Sequence, residues 1–290
     1  MKKLLFSWLF SALALGAYAQ LVAPFTESFD ATSIPTGWTN TSSNTSANAN
    51  WKFSGTPGNP VMSGPAYVPP VILDHTQNGG SIAWVDGSTP VVADCGLMTD
   101  SIDVSAITSL FLEFFYYSNN VTNPGDNNTL YVNFYDGSQW NDSIWGYAGD
   151  GTAWQYGSID LSSYTVSGKV LFEFVVDQTT AGTAFYNDIL LDDISVKNLP
   201  TCPRIFNLRV DAVSATTADL NWDPSTAATD YDVIYGTAGF NPATGGTVIN
   251  TNDDSTSLSG LTGATTYEFY IVADCGAANG TSDTAGPVSF

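Results

Sequence analysis

Apolar and polar residues alternate along most of this chain in short runs bounded by Gly, Asn, Asp and Pro, and no helical period is sustained beyond a turn or two. The clearest runs, Ser81–Val85, Leu110–Tyr117, Thr129–Tyr135, Val170–Val176 and Ile189–Val196, are predicted strands. Between them stand turn-forming clusters such as Asn123-Pro124-Gly125-Asp126-Asn127-Asn128 and Asp136-Gly137. Aromatic residues at 13%, many Thr, Ser, Gly and Asn, and little Lys or Glu exclude a helical bundle and a disordered chain. The class is all-β.

Three segments stand out along the chain. Lys2 and Lys3 precede an apolar run from Leu4 to Leu15 and then Ala17-Tyr18-Ala19, which predicts a secretory signal peptide over residues 1–19 and a secreted or cell-surface product. No later stretch is apolar and long enough to span a bilayer, so membrane insertion is not expected. The segment Lys197-Asn198-Leu199-Pro200-Thr201-Cys202-Pro203 follows a strong strand and carries two prolines. It marks the predicted boundary between a first domain, 20–198, and a second, 199–290.

In the second domain, Leu208 and Val210, Leu220-Asn221-Trp222, Tyr231–Tyr235, Leu258, Leu261 and Tyr267–Val272 read as alternating sandwich strands. Trp222 is the expected core residue, and Tyr267, six residues after Leu261, stands where a tyrosine corner would be. Through these landmarks, residues 203–290 resemble the fibronectin type III family, whose modules serve as spacers, binders and enzyme appendages alike. Cys202 precedes the first of these strands and Cys275 follows the strand bearing Tyr267, so in an exported protein the two are expected to pair. Cys95 is left as a small buried residue. The chain stops at Val288-Ser289-Phe290, inside the expected last strand, which predicts that further C-terminal domains follow.

In the first domain, Phe25, Glu27 and Phe29 share one face of a strand, and the two rings turn that face inward. By the same rule Leu190, Asp192, Ile194 and Val196 share an inward face. Two inward carboxylates with almost no bases nearby need a cation or a raised pKa, and calcium, which takes six to eight oxygens, suits them. The other reading is that one strand's phase is misread and its acid faces solvent.

The opening Glu27-Ser28-Phe29-Asp30 with Ile34-Pro35-Thr36-Gly37-Trp38, the internal Gly64-Pro65 ahead of Asp74-His75-Thr76, and the closing Asp188–Ser195 resemble the MAM domain. They resemble equally its bacterial relatives, the cleaved-adhesin and choice-of-anchor J domains, over residues 24–198. The resemblance implies a jelly-roll β-sandwich whose terminal strands are bridged by calcium, and a role in adhesion rather than catalysis. Carried over by position, the ligands would be Glu27 or Asp30, Asp74, and Asp192 or Asp193.

Charge narrows the partners. The chain carries 28 acids against seven bases, and without Lys2 and Lys3 its net charge is −23. Such a surface repels nucleic acid and anionic lipid. The lone histidine, His75, has no Gly-x-Ser-x-Gly partner, and reads as a structural residue beside a metal-binding Asp. Glu113 and Glu173 lie mid-strand on different strands and leave a glycosidase pair conceivable. Trp140, Trp145 and Tyr147, clustered around Asn141-Asp142-Ser143, could present a ring platform to a sugar. The tripeptides Asp100-Ser101-Ile102, Asp142-Ser143-Ile144, Asp254-Ser255-Thr256 and Asp283-Thr284-Ala285 resemble the O-glycosylation pattern of Bacteroidetes exported proteins. The expected function is a non-catalytic, calcium-stabilised adhesion or binding pair for a host or extracellular protein or glycan. The alternative is the carbohydrate-binding accessory region of a larger secreted hydrolase.

Overall fold

The computed structural model describes residues 20–46, 49–54, 75, 80–87, 91–118, 127–149, 151, 154–166, 168–179 and 187–290. The signal-peptide segment and Asp74 lie outside these. The described residues hold no α-helix, and the chain divides into two compact units, 1–199 and 200–290.

In the first unit the strands are β1 (Leu21–Val22), β2 (Phe25–Glu27), β3 (Thr39–Asn40), β4 (Lys52–Ser54), β5 (Ile82–Val85), β6 (Cys95–Met98), β7 (Ile102–Asp103), β8 (Leu110–Ser118), β9 (Thr129–Tyr135), β10 (Trp140–Tyr147), β11 (Gln155–Asp160), β12 (Lys169–Asp177) and β13 (Ile189–Asn198). They form two sheets. In the seven-stranded one, β12 is central: β9 and then β10 flank one edge, and β6 and β7 share the other. The six-stranded one runs β11-β8-β13-β5-β4, with β2 also on β13.

Period-2 alternation explains how the sheets meet. Val170, Phe172, Phe174 and Val176 of β12, Leu130, Val132 and Phe134 of β9, and Leu112 and Phe114 of β8 are fully buried in one core. Phe114 meets Phe174 edge to face across the sandwich at 5.1 Å. Each such ring contributes about 1.5–3 kcal/mol by burial. The outward residues of β8 and β13 are not all solvated: Tyr117 and Leu190 join Ile82 and Trp84 in a second apolar cluster on the outer face of the six-stranded sheet.

The second unit comprises β14 (Arg209–Val213), β15 (Thr217–Asn221), β16 (Asp230–Thr237), β17 (Thr247–Thr251), β18 (Ser255–Ser259), β19 (Tyr267–Asp274) and β20 (Ala285–Ser289). A three-stranded sheet, β14-β15-β18, packs with a four-stranded one, β17-β16-β19-β20. Trp222 is 1% exposed and edge-on to Tyr231 at 5.4 Å, as expected of the core tryptophan. The Tyr267 hydroxyl accepts a hydrogen bond from the Thr262 amide at 3.1 Å, closing the tyrosine corner. Cys202 and Cys275 form a disulfide across 73 residues. Cys95 is free and buried in the first core.

Candidate functional site

The expected metal ligands gather where β13 changes partners. One edge of β13 pairs with β8 throughout; the other is shared by β5, against Ile189–Leu191, and β2, against Ile194–Val196. At this junction β13 bulges. Asp192 pairs with Phe115 and Ser195 with Glu113, so β13 spends one more residue than β8, and Asp193 sits at φ 45°. An extra residue reverses the phase of every side chain beyond it. Ile189 and Leu191 enter the core before the bulge, and Ile194 and Val196 after it, whereas Leu190 belongs to the outer cluster.

Asp192 therefore does not share the inward face of Ile194 and Val196 that simple alternation predicts; it lies with Leu190 on the outer side. It is nevertheless only 1% exposed. Its Oδ2 accepts from the His75 amide at 2.9 Å and its Oδ1 from the Asp193 amide at 2.8 Å. His75 Nδ1 lies 2.6 Å from Asp193 Oδ2, and its ring stacks on Phe115 with Trp154 edge-on at 6.0 Å. Both acids thus anchor His75 to the outer face of the sheet.

Glu27 does point inward. It pairs with Ile194, as Phe25 pairs with Val196. Burial pushes its carboxyl above the usual range; the bond its Oε1 accepts from the Phe29 amide at 2.7 Å opposes this, and the nearby Asp30 charge adds to it. Asp30 is exposed and accepts from Ser28 Oγ at 2.9 Å. On the same edge of β13, just before β5, the Ser81 hydroxyl is buried with no hydrogen-bond partner among the described residues. A raised carboxyl and an orphaned hydroxyl are what a missing cation would leave. Against this, Glu27 and Asp192 sit on opposite faces of one sheet, and no three acidic, histidine or cysteine side chains among the described residues group to hold a metal ion. The fit is partial, and Asp74 lies outside the described residues.

The expected ring platform is not formed. β10 carries a wider irregularity between Asn141 and Trp145, where it spends two residues more than β9, with Ser143 at φ 51°. Trp140, opposite Tyr135, stands on the outer face and is 41% exposed. Two extra residues leave the phase unchanged, so Trp145 and Tyr147, opposite the core residues Val132 and Leu130, turn inward on the same face as Asn141, which opposes Phe134. Trp145 meets Phe114 and Tyr116 at 5.0 and 5.1 Å, and Tyr147 meets Tyr116 at 4.9 Å. One exposed ring remains of the three.

Glu113 and Glu173 are likewise separated. Glu113 lies outside the six-stranded sheet, bound by Lys197 Nζ at 2.7 Å and by the Tyr156 hydroxyl at 2.6 Å. Glu173 lies outside the seven-stranded sheet, accepting from Thr41 Oγ1 at 2.5 Å and Asn133 Nδ2 at 2.9 Å. With the core between them they cannot flank one glycosidic bond. Sequence reading also passed over a buried polar group at the strand ends: Asn128, Asn187 and Ser118 bond in a chain, and the Gly87 amide donates to Asp188 at 2.7 Å. Turn-type Asn and Asp carry no sequence mark of being buried.

The two β-sandwich units match module families that are non-catalytic and typical outside cells. The MAM domain model, meprin/A5/mu, matches residues 28–203, and the fibronectin type III model matches 201–288. The first match spans more than half the chain, which therefore belongs to the MAM domain family, with a fibronectin type III module following. Comparison with curated proteins finds no match. Among solved structures, one described as a myokine structure is 20% identical over 31% of this chain and 95% of its own, with a TM-score of 0.27. The chicken CNTN1 FN1-FN3 domains are 13% identical over 57% of this chain and 56% of theirs, TM-score 0.27. The Endo-D glycoside hydrolase domain from Streptococcus pneumoniae is 15% identical over 74% of this chain and 34% of its own, TM-score 0.30. None of these likenesses carries a functional argument.

Proposed function

We propose that this chain is a secreted or cell-surface binding region, without catalytic activity of its own, whose MAM domain engages an extracellular protein. The observation that carries the reading is the succession of two non-catalytic, extracellular-type modules. No helix among the described residues is long and apolar enough to cross a membrane. The inward turn of Trp145 and Tyr147 favours a protein over a glycan, because Trp140 alone offers little stacking area. The second reading, a carbohydrate-binding accessory region of a larger hydrolase, rests on that one ring. A glycan array and an extracellular-protein array, each probed with residues 20–290, test the choice. Protein hits that survive Trp140→Ala support the first reading, and glycan hits abolished by it support the second.

Calcium is a separate proposal: a cation at the β2–β5–β13 junction, taken by Glu27 or Asp30 with Asp74 and Asp193. The raised Glu27 carboxyl and the orphaned Ser81 hydroxyl support it. Thermal unfolding with calcium and then with excess chelator tests it. Chelator should lower the first unit's transition and leave the second's in place; no shift removes the metal from this account.

A further inference from the structure

The second unit is described without a gap, so its sheet edges can be compared. Natural edges are blunted by charge, proline or bulges, because an unprotected edge is a template for another strand. β14 is bulged between Val210 and Ala212 and carries Arg209 and Asp211. β20 contains Pro287 and an irregular register against β19. β18 carries no charge, proline or bulge, but its one large apolar side chain, Leu258, is buried and its exposed positions, 257 and 259, are serines.

β17 also lacks charge, proline and bulge and, unlike β18, presents an apolar side chain to solvent. It pairs with β16 in unbroken register from Tyr231–Thr251 to Tyr235–Thr247 and ends the sheet. Thr247, Val248, Ile249 and Thr251 are all β-branched, and Val248 is 56% exposed. The surroundings specify charge. From Val210 to Phe290 there are ten acids and no Lys, Arg or His. Two of the acids adjoin the edge, since Asn250 Nδ2 donates to Asp230 at 2.6 Å and to Asp232 at 3.2 Å, and Asp253 and Asp254 follow one residue beyond the strand's end.

We propose that β17 is a docking edge that takes an extended, lysine- or arginine-rich segment of a partner protein as an added strand. Main-chain hydrogen bonds extend the sheet, an apolar side chain covers Val248, and the cationic side chains meet Asp230, Asp232, Asp253 and Asp254. A second copy of this chain is the wrong occupant, because it brings ten more acids to the same edge. The proposal goes beyond the reading above, which places the partner on the first domain.

The test uses residues 20–290 with two labelled ten-residue peptides, one alternating Lys and Val, the other Glu and Val. Two variants gain the same positive charge at equally exposed valines: Val248→Lys on β17, and Val213→Lys on the bulged β14, where Val213 is 59% exposed. The Lys peptide should bind, the Glu peptide should not, and hydrogen exchange should slow at residues 247–251. Val248→Lys should weaken binding about tenfold and Val213→Lys less than about twofold. Equal loss in both variants, protection elsewhere, or no preference for the Lys peptide overturns the proposal. So does a dimer dissolved by Val248→Lys, which assigns the edge to self-association. Arrays that lose their hits only with first-domain variants would leave the MAM reading standing whichever way this test falls.

Discussion

The two units are both β-sandwiches, yet they close differently. The second is closed covalently, by Cys202–Cys275 across 73 residues, around Trp222 and the Tyr267 corner. The first has one cysteine and no disulfide among its described residues. Its ends are held by strand pairing, β2 against β13 and β1 parallel to β7, and by the acids that seat His75. A covalent staple acts mainly by restricting the unfolded chain and asks little of its neighbours. A clamp of pairing and buried carboxylates acts only in the folded state, so each member must be correctly satisfied.

The largest effect that separates the two closures is expected from Cys202→Ser with Cys275→Ser. By chain entropy the 73-residue loop contributes about 4 kcal/mol, so the second unit's melting transition should fall steeply while the first's does not move. Cys95 supplies an independent reading. Burial, with the charges of Asp94 and Asp177, pushes its thiol up to about 12. At pH 8 the native thiolate fraction is then about one in ten thousand, so thiol labelling reports opening of the first unit. The labelling rate should be unchanged by loss of the disulfide. Faster labelling would mean that the two units are coupled.

Next in size is Asp192→Ala. Its carboxylate accepts from two backbone amides, and removing it strands buried donors at a cost of about 2 kcal/mol. That loss should appear in chelator as well as in calcium, because neither hydrogen bond needs a metal. Any further loss confined to calcium measures a metal contact by Asp192, and destabilisation seen only in calcium would mean that the His75 clamp contributes nothing.

The same contrast explains what could be read in the sequence. All five strands expected in the first domain formed to within a residue or two, and Trp222 and Tyr267 fell where their spacing put them. Those features depend on period and spacing, which local composition carries. Glu27 was also placed on the correct face, because Phe25–Glu27 pairs with β13 beyond its bulge in unbroken alternation. The failures were Asp192, displaced by the one-residue bulge at Asp193, and the pair Trp145 and Tyr147, which plain alternation from Trp140 already sets on the opposite face of β10. A bulge adds one residue to one strand only, so it is a property of the pair. No run of residues in β13 alone reveals it, whereas the odd spacing of Trp145 and Tyr147 from Trp140 was legible in β10.

The smallest effects isolate Asp193 and Ser143 from each other. Both hold left-handed backbone, which costs a non-glycine residue about 1 kcal/mol, and glycine removes that strain while adding a comparable entropy to the unfolded chain. Ser143→Gly should therefore leave stability within about 0.5 kcal/mol of the parent. Asp193→Gly undergoes the same backbone exchange but also loses the contact with His75 Nδ1, so it should cost about 1 kcal/mol more. Valine at either site should cost at least about 1 kcal/mol, since a β-branched side chain resists that conformation. If Asp193→Gly and Ser143→Gly proved equal in chemical denaturation, the bulge in β13 would be a matter of backbone alone. The His75 contact would then be a consequence of the fold and no part of what holds the first unit closed.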